Sequence, residues 1–120
     1  MSGNVSAQAL SILVVDDDEE VREILAETLL EFGYAVLQAS SGDEALGVLG
    51  GRNDIQMLIT DVRMPGMSGL ELADLARRRD SNLKVILISG YFIPQPIGQR
   101  FLKKPFHMQE LASAVRAELE

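Results

Sequence analysis

Acidic, hydroxyl and basic side chains follow several short apolar runs of this sequence, at the points where buried strands would end. Asp16 and Asp17 follow the first run, Asp61 a later one, Ser89 closes another, and Lys104 follows the last. This set matches phosphoryl transfer to a carboxylate. In that chemistry a divalent ion and a lysine neutralise the phosphoryl oxygens, a hydroxyl donates to one of them, and an aspartate is the in-line nucleophile.

Each of these residues also has an ordinary interpretation when it is taken alone. Acidic residues favour the start of a helix, an aspartate or Ser-Gly pair often forms a turn, and most lysines are surface residues. Asp16 and Asp17, however, adjoin a buried strand and would repel each other without a counter-charge. Clustered carboxylates suit Mg2+, so on this segment alone a cation site and a solvated acidic loop both remain open. The combination is far more specific than any single member.

Five apolar runs, alternating with segments of helical period, must position these side chains. The runs are typical of strands buried on both faces of a sheet, and they are Ile12–Val15, Tyr34–Ala39, Met57–Ile59, Val85–Ile88 and Arg100–Leu102. Strand–helix alternation predicts an α/β fold, a doubly wound parallel sheet with helices on both faces. In such sheets the chemistry lies at the carboxyl ends of the strands.

The helices are predicted from apolar residues spaced three and four apart. The first should end at Gly33, where a helix C-terminus favours positive φ. Ser41 and Ser68 should open the second and third, because each has a glutamate three residues later, as in a capping box. The predicted buried residues are Val21, Ile24, Leu25, Thr28, Leu29 and Phe32 in the first helix; Ala45, Val48 and Leu49 in the second; Leu72, Leu75 and Ala76 in the third; and Met108, Leu111, Ala112, Val115 and Leu119 in the last.

Composition narrows the classes of partner. A chain of 120 residues fits one domain, and its formal charge of −7 disfavours nucleic acid and anionic membranes as partners. The absence of cysteine excludes disulfides and thiolate metal sites. No apolar run approaches the roughly 20 residues of a membrane span, and the polar N-terminal segment lacks the features of a signal peptide. We therefore expect a cytoplasmic domain without membrane insertion.

Four segments, in this order, make the sequence similar to response-regulator receiver domains: Ile12–Asp17, Asp61–Gly66, Ile88–Gly90 and Lys104–Phe106. Chemotaxis single-domain regulators and the receivers of hybrid histidine kinases belong to this family. The resemblance covers essentially all of Ser11–Leu119. It implies a flavodoxin-like sheet of order 2-1-3-4-5 and a receiver domain over residues 11–120, after a polar or disordered lead-in over residues 1–10.

The resemblance also implies roles for individual residues. Asp61 is expected to accept a phosphoryl group from a phosphohistidine, the donor being a sensor histidine kinase or a histidine phosphotransfer protein. Asp16, Asp17 and Asp61 are expected to bind Mg2+ together with the backbone carbonyl of Arg63. The domain is then a signalling phosphoacceptor, not an enzyme with a separate substrate.

Three further roles follow from the same resemblance. Ser89 is expected to bond a phosphoryl oxygen and Lys104 to pair first with Asp61 and then with the phosphate. The Lys104–Pro105 peptide bond is expected to be cis, which proline tolerates. Ser89 and Phe101 form the expected conformational switch. Many family members have tyrosine where Phe101 stands, so a switch here rests on packing without a hydroxyl.

The chain departs from the family pattern between the fourth and fifth strands. Only residues 91–100 separate Gly90 from Phe101, and they include Pro94, Pro96 and Gly98. A crossover helix needs at least roughly 10–12 residues, and proline disrupts a helix interior. We therefore predict that the fourth helix is absent or shortened. A shortened segment of this kind resembles receivers attached to hybrid sensor kinases more than receivers that drive DNA-binding domains. That helix helps to form the family's usual dimerisation surface, so the oligomeric state stays open.

Three other functions compete with this interpretation. A phosphatase of the haloacid-dehalogenase type would use Asp16 as its nucleophile, although Glu20 stands where its motif needs threonine. A flavodoxin-like nucleotide-binding module would need a Ser/Thr/Gly-rich loop in place of the acidic one. A receiver-shaped interaction module that is never phosphorylated is the third. The aspartate that becomes phosphorylated, if any does, distinguishes them.

Overall fold

The computed structural model describes residues 11–90 and 99–119 of the chain. Strands and helices alternate along it, except that no helix is described between the last two strands. The strands are β1 (Ser11–Val15), β2 (Ala35–Ala39), β3 (Ile55–Asp61), β4 (Lys84–Ser89) and β5 (Arg100–Lys103). The helices are α1 (Glu19–Glu31), α2 (Gly42–Gly50), α3 (Gly69–Arg79) and α4 (Met108–Leu119). All five predicted strands are therefore confirmed.

The strands form one parallel sheet in the order β2-β1-β3-β4-β5. This confirms the predicted doubly wound, flavodoxin-like topology. Successive side chains of a strand point to opposite faces, so the apolar central strands supply a core to each side. One core joins the sheet to α2 and α3 around Leu58 and Leu72. The other joins it to α1 and α4 around Ile59 and Leu111.

The helix ends largely follow the predicted capping residues. Ser68 and Glu71 form a full capping box at α3. At α2 the Ser41 hydroxyl accepts from the Glu44 N–H at 3.1 Å. The glutamate, however, accepts from the N–H of Ser40, one residue earlier than the box requires. Gly33 follows α1 with φ of 95°, the positive value predicted for that position.

The predicted buried faces of α1 and α3 were partly wrong. Ile24 and Phe32 are 52% and 47% exposed, and Leu75 of α3 is 38% exposed. The alanines Ala26 and Ala73 are buried instead. Each helix is therefore turned about its axis relative to the prediction, so that a small residue is buried where a longer one was expected. The longer apolar residues at the flank of the stripe then reach solvent.

Two predictions fall outside the described residues. The expected loss or shortening of the fourth helix concerns mainly residues 91–98, and the expected lead-in concerns residues 1–10. Both stay predictions. Within residues 11–90 and 99–119, none of the helices has the length and apolarity required to cross a membrane.

Candidate functional site

The carboxyl ends of β1, β3, β4 and β5 meet at one edge of the sheet. The register pairs Val15 with Thr60 and Asp61 with Ile88, and Ser89 with Lys103. Residues that directly follow these pairs are therefore neighbours in space. This is why side chains that lie far apart in the sequence converge here.

Three aspartates form an acidic group at this edge. One carboxylate oxygen each from Asp16, Asp17 and Asp61 lies within 4.8 Å of the others. Asp16 is buried, Asp61 is half-buried and Asp17 is exposed, so the group opens to solvent on one side. Three carboxylate oxygens on an open face suit Mg2+, a hard cation that binds few protein ligands and keeps several waters. The donor set therefore fits the expected ion.

Asp16 is only 2% exposed, and its carboxylate is partly satisfied by the protein. Its Oδ1 accepts a hydrogen bond from the Asp18 N–H at 2.9 Å. Burial nevertheless raises the pKa of Asp16, and the negative charges of Asp61 and Asp17 raise it further, against a lowering by that hydrogen bond and by Lys104. A raised pKa means that the folded protein tolerates the charged form less well than water does.

Asp61 ends β3 beside the ammonium group of Lys104. The Nζ of Lys104 lies 3.5 Å from Oδ1 of Asp61. Burial raises the pKa of Asp61, and the charge and hydrogen bond of Lys104 oppose that rise. The Asp61 side chain is 12% exposed and that of Lys104 is 36% exposed. The Asp61 carboxylate is thus partly open to solvent and faces a cation.

Ser89 and Lys104 are held together by the backbone. The Lys104 N–H donates to the Ser89 carbonyl at 2.8 Å, which extends the β4–β5 ladder by one residue. Ser89 is 1% exposed. The Lys104–Pro105 peptide bond is cis, as predicted.

The remaining predicted residues lie near this edge, with their roles still predictions. Arg63 lies two residues after Asp61, between β3 and α3, and is exposed. Its backbone carbonyl stays a predicted metal ligand. Phe101 lies on β5, is half-buried and packs against the core on the α2–α3 side, as a switch or an ordinary core residue would.

Two residues that the sequence analysis did not single out also shape the site. A Cβ atom built on Gly69 would collide with the backbone carbonyl of Asp61, so α3 begins directly against the aspartate. Arg22 of α1 donates from Nη1 to the Asp16 carbonyl at 2.9 Å. For the first contact the signal in the sequence is a glycine directly after a helix-capping serine. Residue spacing gives no signal for the second contact.

Comparison with known proteins supports a single family. The family model described as "Response regulator receiver domain" matches residues 12–116. The chain is 39% identical over 119 residues to the transcriptional regulatory protein FixJ of Azorhizobium caulinodans, covering 93% of this chain and 56% of FixJ. It is 32% identical over 115 residues to the response regulator receiver protein CpdR of Brucella abortus, covering 90% of this chain and 95% of CpdR.

A solved structure is equally similar. The receiver domain of the hybrid histidine kinase CckA superposes with a TM-score of 0.82 at 39% identity, covering 92% of this chain and 99% of that one. The chain thus spans about half the length of FixJ and nearly all of CpdR and of this receiver structure.

Proposed function

The chain belongs to the response regulator receiver family of two-component signalling, and from that premise we propose that Asp61 is its phosphoacceptor. The donor is a phosphohistidine on a sensor histidine kinase or a histidine phosphotransfer protein. The observation that carries the proposal is the surroundings of Asp61. It ends β3 within an acidic group and lies 3.5 Å from the Lys104 ammonium.

The transfer requires one bond to form and one to break. A carboxylate oxygen of Asp61 attacks phosphorus, and the P–N bond to the donor imidazole breaks with its electron pair returning to the ring nitrogen. Negative charge on the phosphoryl oxygens must be offset at the same time. Lys104 does this from its position beside the Asp61 carboxylate, and the Ser89 hydroxyl donates a hydrogen bond to one of these oxygens.

We further propose that Asp16, Asp17 and Asp61 hold a Mg2+ ion, with the backbone carbonyl of Arg63 as an additional ligand. When bound, Mg2+ neutralises charge on the phosphoryl oxygens. The chain's own contribution is to group three carboxylates at an open edge. Those carboxylates repel each other and an incoming phosphoryl group, so binding of a cation is the expected precondition for transfer.

The phosphorylated state is proposed to act as a switch through Ser89 and Phe101. Ser89 moves toward the new phosphoryl oxygens, and Phe101 changes rotamer in the space released. Phe101 packs against the core on the α2–α3 side and carries no hydroxyl. Packing alone therefore distinguishes its two positions.

These proposals describe a signalling domain whose only chemistry is its own phosphorylation and dephosphorylation. A net charge of −7 favours a protein partner over nucleic acid. We also propose a cytoplasmic location. The similarity to the receiver of a hybrid kinase supports a kinase or phosphotransfer protein as the partner.

The mass of the intact protein after incubation with acetyl phosphate tests the proposal. Wild type should gain one phosphoryl group in the presence of Mg2+ and none in EDTA. Asp61→Asn should gain none, because an amide cannot serve as the nucleophile. Asp54→Asn is the matched control, an exposed aspartate at the other end of β3, and it should be phosphorylated like wild type.

Other outcomes point to the competing functions. If wild type gains no mass while it binds Mg2+, the chain is better described as an unphosphorylated interaction module. If Asp61→Asn is still phosphorylated and Asp16→Asn is not, the nucleophile is Asp16, as a phosphatase of the haloacid-dehalogenase type requires.

A further inference from the structure

Arg22 connects three elements next to the acidic group. It lies in the first turns of α1 and is half-buried. Its Nη1 donates to the backbone carbonyl of Asp16 at 2.9 Å. Its Nε donates to Oε1 of Gln38 at 3.1 Å, so one guanidinium fastens the end of β1 and the end of β2 to the helix.

Three hydrogen bonds fix Asp16, two to its backbone and one to its carboxylate. Its N–H donates to the carbonyl of Ala39 at 3.2 Å, and its carboxylate accepts from the N–H of Asp18 at 2.9 Å. The bond from Arg22 fixes the carbonyl. That carbonyl belongs to the peptide unit joining Asp16 to Asp17, so its orientation determines where both carboxylates point.

The hydrogen bond from Arg22 reaches the backbone carbonyl of Asp16, whereas Oδ1 of the Asp16 carboxylate accepts from the Asp18 N–H. Arg22 therefore contacts the acidic group through the peptide unit that joins Asp16 to Asp17.

We propose that Arg22 is a positioning residue for the divalent-ion site, holding the Asp16–Asp17 peptide so that both carboxylates face Asp61. The inference rests on the proposed function, since it assumes that this group binds Mg2+. Lysine is a poor substitute, because a single ammonium lacks the planar fork that reaches two acceptors on different strands.

The direction of the change in Mg2+ affinity separates positioning from charge. Removing a cation near an acidic group strengthens the attraction for Mg2+ if only Coulomb forces act. Losing the orientation of the ligands weakens binding instead. Removal of hydrogen bonds that orient metal ligands typically costs about 10–100-fold in affinity, and we expect about tenfold here because the bond is to the backbone.

Calorimetric titration of Mg2+ into the unphosphorylated domain is the test. Arg22→Met and Arg22→Lys should both bind Mg2+ about tenfold more weakly than wild type. Arg116→Met is the control for charge, removing an exposed cation from the last turn of α4. It should bind like wild type or slightly more tightly. At saturating Mg2+ the rate of phosphorylation by acetyl phosphate should return to near the wild-type value in the Arg22 variants.

Wild-type or tighter binding by both Arg22 variants would overturn the inference. If Arg22→Met proves unfolded in a thermal melt without Mg2+, Arg22→Lys and Gln38→Ala decide the matter. Gln38→Ala releases one arm of the fork and should weaken Mg2+ binding less than Arg22→Lys does; wild-type affinity in both would also overturn the inference. Failure of the proposed function looks different, because it would appear in wild type itself, which would then accept no phosphoryl group whether or not it binds Mg2+.

Discussion

The two ends of β3 carry aspartates in opposite electrostatic situations. Asp54 precedes the strand and pairs with Arg52 at 2.7 Å, and the hydrogen bond from Arg52 lowers the pKa of Asp54. Asp61 ends the strand, and burial raises the pKa of Asp61 in spite of Lys104. Asp16, its neighbour at the carboxyl edge, is shifted in the same direction, also by burial.

This difference indicates where the fold gives up stability for function. At the amino edge an aspartate and an arginine satisfy each other in solvent. At the carboxyl edge two aspartates are partly desolvated next to a third, an arrangement that costs stability unless a cation is present. Proteins that are locally consistent elsewhere break such rules at functional sites. Four substitutions, one of them a control, test this contrast between the edges.

Substitution of glycine by alanine should give the largest difference in stability between the carboxyl edge and a position away from it. A Cβ at Gly69 would collide with the Asp61 carbonyl and lie 3.0 Å from the Cα of Val62. Backbone atoms cannot yield as a flexible side chain can, so α3 would have to move. Gly69→Ala should destabilise the fold by about 3 kcal/mol, near the top of the usual range for overpacking, and slow phosphorylation of Asp61.

Gly47→Ala is the matched control, in the second half of α2. Among the described residues, no atom outside its chain neighbours and the nearby backbone of its own helix lies within 4 Å of a Cβ at this position. Alanine should therefore raise stability by about 0.5 to 1 kcal/mol through its better helix propensity. Urea unfolding of both variants measures the contrast. Equal effects of the two substitutions would show that the start of α3 is not tightly packed against β3.

Much of this site could be predicted because parallel strands end at a common edge. Asp16, Asp17, Asp61 and Lys104 each follow a recognisable apolar run, and the register then brings them together. The capping box at Ser68 was predictable for a similar reason, since it depends on residues three apart.

Features that depend on how elements pack could not be predicted in this way. The exposure of Ile24 and Leu75 reflects the rotation of a helix about its axis, which is set by the sheet beneath it. The contact of Gly69 with Asp61 depends on the path of the intervening loop. The bond from Arg22 to the Asp16 carbonyl requires the relative placement of α1 and β1, on which residue spacing has no bearing.

Asp16→Asn tests the cost of the buried acids. The folded-state pKa of Asp16 lies above its value in the unfolded chain, which is about 3.9. The folded protein therefore binds that proton more tightly, and stability falls as pH rises through the window between the two values. An asparagine removes the charge and can still accept from the Asp18 N–H. It should stabilise the fold on the order of 1 kcal/mol at pH 8.

Urea unfolding in EDTA at several pH values measures this effect. The advantage of Asp16→Asn over wild type should be full above the folded-state pKa and should shrink as pH falls toward 4. An advantage that is independent of pH would mean that packing, and not the charge, sets the cost. A loss of stability at pH 8 would contradict the contrast itself.

Asp54→Asn at the amino edge should give the smallest change, and one of opposite sign. Its pKa is lowered in the folded state, first by the hydrogen bond from Arg52, so this aspartate stabilises the fold above the unfolded-state value and loses that effect as pH falls through the folded-state pKa. The pair is exposed, with side chains 43% and 51% accessible, and exposed pairs contribute little because solvent and salt screen them. We therefore expect a slight destabilisation at pH 8 in low salt that disappears in high salt. A stabilisation like that of Asp16→Asn would mean that aspartates at both edges are unfavourable, leaving the net charge of −7 as the common cause.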